Sequence, residues 1–288
     1  MAEEPNVKKY SYFGEVWRRL KKNKVAIISL FVILVIVLIA LMAPVLAPHP
    51  YDKNNPSRSL EGPSSDHPLG TDRLGRDILS RLIYGSRQSL QMGFTAVLVA
   101  AAVGIVIGAI AGYFGGWLDN LLMRFLDIYQ GIPMFLLTVT LAAVLGPSLR
   151  NAIIAIGVSM VPQNARFMRA CILPIREMEY IEAAQAVNAS STRIIVRHII
   201  PNAIAPMIVS ITMGLGLAVL AGAGLSFIGL GAQPPTAEWG AMVSDGRSYM
   251  RSNPQLSLYP GVCIMITVLA FNLFGDGLRD ALDPRLKT

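Results

Sequence analysis

The chain has 288 residues, of which 53% are hydrophobic and only 15% charged, against roughly 25% charged in soluble domains. Its mean hydropathy is +0.51, and a water-soluble fold of this length has no interior for so much apolar side chain, so the composition predicts a polytopic membrane protein. The net charge of +7 would suit a nucleic-acid binder if the basic residues formed a patch with exposed aromatics. They lie instead between apolar runs, as in membrane loops, so the lipid bilayer and not nucleic acid is the expected partner.

A spanning helix needs about 20 mostly apolar residues. The first candidate is Val25 to Ala43, almost entirely Val, Ile, Leu and Phe with Ser29 as its one polar side chain; its insertion is worth roughly −6 kcal/mol. Pro44 and Pro48 follow it in place of a cleavage site, so it reads as a span and not a signal peptide. Further runs are Met92 to Phe114, Leu121 to Leu145, Ala152 to Ile172, Ala203 to Ile228 and Leu258 to Phe274, giving six spans. Pro133 and Pro162 predict breaks in the third and fourth. Thr71 to Leu90 alternates charged and apolar residues at helical spacing and predicts a separate interfacial helix.

Most of the 25 Lys and Arg fall on the side of the N-terminus: Lys8, Lys9, Arg18, Arg19, Lys21, Lys22, Lys24, Arg124, Arg166, Arg169, Arg176, Arg193, Arg197, Arg279, Arg285 and Lys287. The positive-inside bias therefore predicts both termini in the cytoplasm. Gly104, Gly108 and Gly112 share one face of the second span, and Gly214, Ala218 and Gly222 repeat the device in the fifth. These small faces serve close packing within the bundle or a seam with another subunit.

Catalytic chemistry is not legible. His49, His67 and His198 are far apart in the sequence, no H-E-x-x-H pair exists, and no glycine is followed by lysine as a phosphate loop requires. No catalytic residue, metal site or cofactor is expected, and Cys171 and Cys263, in apolar surroundings, read as packing residues. An ion-coupled carrier would keep an ionisable group in a span, and Asp127 is the one serious candidate. Asp119, Arg124 and Asp127, about one and two turns apart, are expected to pair among themselves.

The most informative stretch is REMEYIEAAQAVNASSTRIIVRHIIPN, Arg176 to Asn202. Strong helix formers up to Ala186, then Asn188 and Ser190 to Thr192, predict a short helix, a tight turn and a second helix. The segment resembles the EAA loop of permease subunits of ATP-binding-cassette (ABC) importers, whose pattern is E-A-A, three residues, Gly, nine residues, I-x-L-P. Glu182, Ala183, Ala184 and Pro201 match; Asn188 replaces the glycine, His198 the isoleucine and Ile200 the leucine. Asn tolerates positive φ better than most residues, so a left-handed turn at 188 remains feasible. HPLGTDRLGRDILSRLIYGSRQSL (His67 to Leu90), AGYFGG (Ala111 to Gly116), GLGAQPPTAEWGAM (Gly229 to Met242) and FNLFGDGLRDALDPRLK (Phe271 to Lys287) extend the similarity to the dipeptide/oligopeptide/nickel permease family.

The resemblance implies an all-α polytopic protein with six transmembrane helices, the type I ABC importer permease fold. Its parts would be a basic N-terminus (1–24), the first span (25–43), an external loop (44–86), a permease core (87–276) with a coupling loop (176–202), and a C-terminal tail (277–288). It further implies a non-catalytic subunit of a bacterial or archaeal cytoplasmic membrane importer of di- or oligopeptides, working with a second homologous permease, two cytoplasmic ABC ATPases and an extracytoplasmic solute-binding protein. Glu182, Ala183, Ala184, Asn188 and Pro201 would couple to the ATPase. Gln130, Ser159, Gln163 and Asn164, polar within or beside spans, are candidates for the translocation path or for interhelical hydrogen bonds. Nickel or another small solute as cargo, and an ion-coupled secondary transporter, are the alternatives.

Overall fold

The computed structural model describes residues 12–282. Lys8, Lys9, Arg285 and Lys287, used above for orientation, and the end of the last quoted motif lie outside them. Among the described residues there is no strand, only an isolated bridge between Thr71 and Asp77. The elements are α1 (Tyr12–Leu20), α2 (Lys24–Leu41), α3 (Ile78–Phe114), α4 (Gly116–Gln130), α5 (Met134–Leu145), α6 (Leu149–Arg176), α7 (Glu179–Ala186), α8 (Ser191–Phe227), α9 (Trp239–Gly246) and α10 (Gln255–Leu282).

Four helices are long and apolar enough to cross a membrane, α2, α3, α8 and α10, and a fifth span results if α4 and α5 are taken together. That pair is bent by 83° around Gly131 to Pro133, the break Pro133 predicts. The expected break at Pro162 does not occur: α6 runs unbroken through Pro162 and Pro174. Its hold is lateral. A Cβ on Gly104 would stand 2.5 Å from Asn164 Cβ, and one on Gly112 would stand 3.0 Å from Ile172 Cβ, so the glycine face of α3 lies directly on α6 and fixes its course despite the lost backbone bond. Gln163, Asn164, Arg166 and Arg169 keep α6 from reading as an apolar span.

The interfacial helix expected over Thr71 to Leu90 is also revised. Helix starts at Ile78 and continues without interruption to Phe114, about 55 Å for 37 residues against a hydrocarbon core of about 30 Å. The segment before it is a knot of local bonds that explains the H-P-L-G-T-D-R-L-G-R-D motif. Asp72 accepts from the backbone N–H groups of Leu74 (2.9 Å) and Arg76 (3.0 Å) and pairs with the Arg76 guanidinium at 2.7 Å. Gly75, at φ +72°, lets the chain turn against Asn55, where a Cβ would stand 1.8 Å from a carbonyl oxygen. Asp77 caps α3 by accepting from Ser80 N–H at 2.7 Å. Nearby, the Arg58 guanidinium bonds Asp66 and holds its carboxyl below the ordinary carboxylate range.

The A-E-W-G-A-M motif is likewise structural. Glu238, fully buried, accepts from Ser89 Oγ (2.8 Å), Gly240 N–H (3.0 Å) and Ala241 N–H (2.9 Å), capping α9 while tying it to α3. Trp239 donates its indole N–H to Leu82 O at 3.0 Å, with its ring over Gly85. At the other end, Gly277 of α10 packs on Ala26 of α2, and Leu20, Ala26 and Ala281 form a small core there.

Candidate functional site

The loop between α6 and α8 is built on one apolar anchor. Ile181 is fully buried among Met168, Ile172 and Ile175 of α6 and Ile194, Ile199, Ala203 and Met207 of α8. Burying such a side chain is worth about 1.5–3 kcal/mol, which fixes α7 across the ends of two long helices. The two residues after the anchor then turn outward by helical geometry, Glu182 and Ala183 being exposed, while Ala184, one turn on, comes back half-buried to the anchor's face.

The turn that ends α7 is stabilised by backbone bonds. Asn188 has φ +57°, the left-handed conformation that its place in the pattern requires. Its N–H donates to Gln185 O at 2.8 Å, and Ala189 N–H donates to Ala184 O at 3.1 Å. Together these are the two bonds of a Schellman motif, with the half-buried Ala184 and Ala189 both packed on the core that holds Ile181. Ser190 then caps the next helix, accepting from Arg193 N–H. Pro201 lies exposed just beyond a wide π turn, Ile195–Ile199, which makes room for a ring that an α-helical backbone would crowd.

What results is a rigid bracket with an outward face made of Met178, Glu179, Tyr180, Glu182, Ala183 and Val187, the last 79% exposed. Two acidic groups flank apolar and small side chains on that face. Nothing in it resembles a nucleophile with a base. Ile181 was not singled out from the sequence, although an Ile directly before an exposed E-A-A run is the signal that marks the buried side of so short a helix.

The four polar residues offered for a path do not converge. Gln163 lines an open cleft of about 660 Å³ between α1, α6, α8 and α10, together with Phe167, Asn202, Pro206, Ser210 and Arg279. Ser159 and Asn164 are buried; Asn164 donates to Met160 O within its own helix at 3.0 Å, while Ser159 Oγ finds no partner among the described residues. Gln130 is exposed at the end of α4. Asn202 and Ser210 of the cleft lie in an apolar stretch of α8 that masked them in the sequence.

The small faces lie within the chain. A Cβ on Gly108 would meet Ala165 O at 2.3 Å, one on Gly222 would meet Met92 Cε at 2.3 Å, and one on Gly214 would meet Met160 Cε at 3.3 Å; Ala218 is fully buried in the same core. The charged cluster of α4 is a correction. Asp119 takes a two-pronged bond from Arg169, Nε and Nη2 both at 2.6 Å, and Asp127 pairs with Arg166. Both carboxylates thus join α4 to α6, and neither pairs with Arg124. Antiparallel packing brings to them arginines that are distant in sequence. The fold also brings two of the histidines together: His49 and His67, apart in the chain, have ring centroids 4.6 Å apart.

Known proteins agree with this architecture. A family profile described as binding-protein-dependent transport system inner membrane component matches residues 104–288, and one described as N-terminal TM domain of oligopeptide transport permease C matches residues 11–63. The dipeptide transport system permease protein DppC of Alkalihalophilus pseudofirmus is 50% identical over 278 residues, 96% of this chain and 91% of that protein. DppC of Haemophilus influenzae is 44% identical over 95% of each chain, and the glutathione transport system permease protein GsiD of Pectobacterium atrosepticum is 42% identical over 95% of this chain and 91% of that one. An inward-facing structure of the MetNI methionine ABC transporter superposes with a TM-score of 0.58 at 22% identity, over 72% of this chain and 98% of that one, a likeness of fold. The chain belongs to the binding-protein-dependent inner membrane components, as a permease of the dipeptide/oligopeptide/nickel group of ABC importers.

Proposed function

We propose that this permease carries di- or oligopeptides across the cytoplasmic membrane, as a non-catalytic gate driven by ATP hydrolysed in two partner ATPases. A second homologous permease completes the path and an external binding protein delivers the cargo. The chain crosses six times, α6 being the fourth span and completing the set, with both termini and α7 in the cytoplasm; the clustering of Lys and Arg supports this orientation.

The observation that carries the reading is the outward face of α7 on its Ile181 anchor. A partner pressing on that face moves the ends of α6 and α8 together, because Ile181 is packed against both. Glu182, Ala183 and Ala184 form the contact, and Asn188 and Pro201 shape the turn and the return helix. Reconstituted with its partners, the Glu182→Lys variant is expected to insert and assemble its helices normally, yet to lose ATP-driven peptide uptake and stable retention of the ATPase. Uptake at the wild-type rate in that variant would contradict the coupling role.

A glutathione-like tripeptide is a second cargo, favoured by the relatives named as glutathione permeases at 42% identity. Uptake of labelled dipeptide against labelled glutathione by the assembled transporter separates the two.

A further inference from the structure

The two histidines that meet do so beside a carboxylate. Asp66 Oδ1 is 3.5 Å from His49 Nε2, and Asp66 Oδ2 is 3.7 Å from His67 Nε2. One ligand atom from each of the three residues lies within 4.8 Å of the others. His67 is only 6% exposed, and its Nδ1 is 2.9 Å from Asp77 Oδ1. Asp77 already accepts from Ser80 N–H through its other oxygen. A carboxylate only accepts, so a ring hydrogen sits on Nδ1, and Nε2, facing His49 and Asp66, is the nitrogen left to take a cation. A carboxylate behind an imidazole is the arrangement that orients metal-binding histidines and raises their basicity.

The mounting is rigid. His49 N–H donates to Ser80 Oγ at 3.0 Å, in the first turn of α3, while His67 is held to the cap of that helix through Asp77 and its own N–H donates to Ser64 Oγ at 3.0 Å. The charges nearby, Arg58, Glu61, Asp66 and Asp77, are net negative. His49 Nε2 now bonds Asp66 O at 2.8 Å, and Arg58 bonds Asp66; a cation would replace the first bond and share the carboxylate with the second.

We propose that His49, Asp66 and His67 form a site for a first-row divalent cation, Zn²⁺ by donor set, with Asp77 orienting His67. Two imidazoles and one carboxylate match zinc, at about 2.0–2.2 Å per bond, with water in the fourth position. Ligand atoms in such a tetrahedron are about 3.3 Å apart, so the present spacing closes by rotation of the half-buried His49 and the exposed Asp66. The ion clamps the chain just after α2 to the start of α3, and this inference does not depend on the transport reading.

The test uses the full-length chain, purified in detergent through a tag without histidine, stripped with EDTA and titrated with Zn²⁺ against a chromophoric chelator. One Zn²⁺ per chain is expected, with a rise in melting temperature on binding. His49→Ala and His67→Gln should each weaken binding at least about 10-fold, and Asp77→Asn by about 10–100-fold while still capping α3. His198→Ala should leave the affinity unchanged. Should the His67 variant fold poorly, His49→Ala decides, because that ring is half-buried and outside the core. Absence of saturable binding, or one-to-one binding that His49→Ala does not weaken, overturns the proposal.

Discussion

Replacing Asn188 tests whether the bracket is held by its turn. At φ +57° a side chain with a Cβ costs about 1–2 kcal/mol, most for a β-branched residue, and less for Asn. The residue's own N–H and that of Ala189 close the Schellman motif. Strain in the Asn188→Val variant therefore falls on the opening of those two bonds. A change of 1–2 kcal/mol raises the open population about 5–30-fold, and amide exchange over residues 184–194 should quicken by that factor. Asn188→Gly relieves the strain but gives the open chain more freedom, worth about 0.4–1 kcal/mol, so its exchange should stay within about fivefold of the parent. Hydrogen–deuterium exchange by mass spectrometry on the detergent-solubilised permease reads both variants. Equal exchange in the Val and Asn proteins, or Gly opening faster than Val, would refute the reasoning.

Two further perturbations follow from the helix contacts. A methyl on Gly108 would stand 2.3 Å from the Ala165 carbonyl oxygen, an atom that cannot swing aside, so Gly108→Ala should destabilise by about 1–3 kcal/mol; Gly261→Ala, with nothing within 4 Å, should not, and equal melting temperatures for the two would remove the argument for a tight α3–α6 seam. Asp119 is 8% exposed and bonded twice by Arg169, whose side chain is about a third exposed, so Asp119→Ala should cost about 1–3 kcal/mol, below the 3–5 of a fully buried pair. The exchange Asp119→Arg with Arg169→Asp should restore part of the loss, and thermal unfolding that ignores the single substitution tells against the pair.

Much of the fold was legible because its signals are local. The run from Val25 becomes α2, the elbow at Pro133 becomes the 83° bend, and Asn188, between a helix-forming run and a cluster of Ser and Thr, adopts the positive φ that its position asks of it. Apolar transfer free energy, helix propensity and φ preference each belong to a residue and its near neighbours, so they can be read along the chain. The family motifs were legible as likeness before their bonds were known: Asp72, Gly75 and Asp77 build a turn and a cap, and Glu238 buries its carboxylate under two backbone N–H groups.

The sequence by itself thus determined an all-helical membrane fold, the short helix with its left-handed stop and the membership of the permease family. The tertiary structure decided which polar groups meet, Asp119 with Arg169, Glu238 with Ser89 and His49 with His67, and kept α6 helical through Pro162 against the glycine face of α3. Those partners stand up to 149 residues apart, and no local preference encodes the distance between them. Only the lateral packing of helices brings a charge opposite its counter-charge, and whether a proline breaks a helix depends on what presses against it.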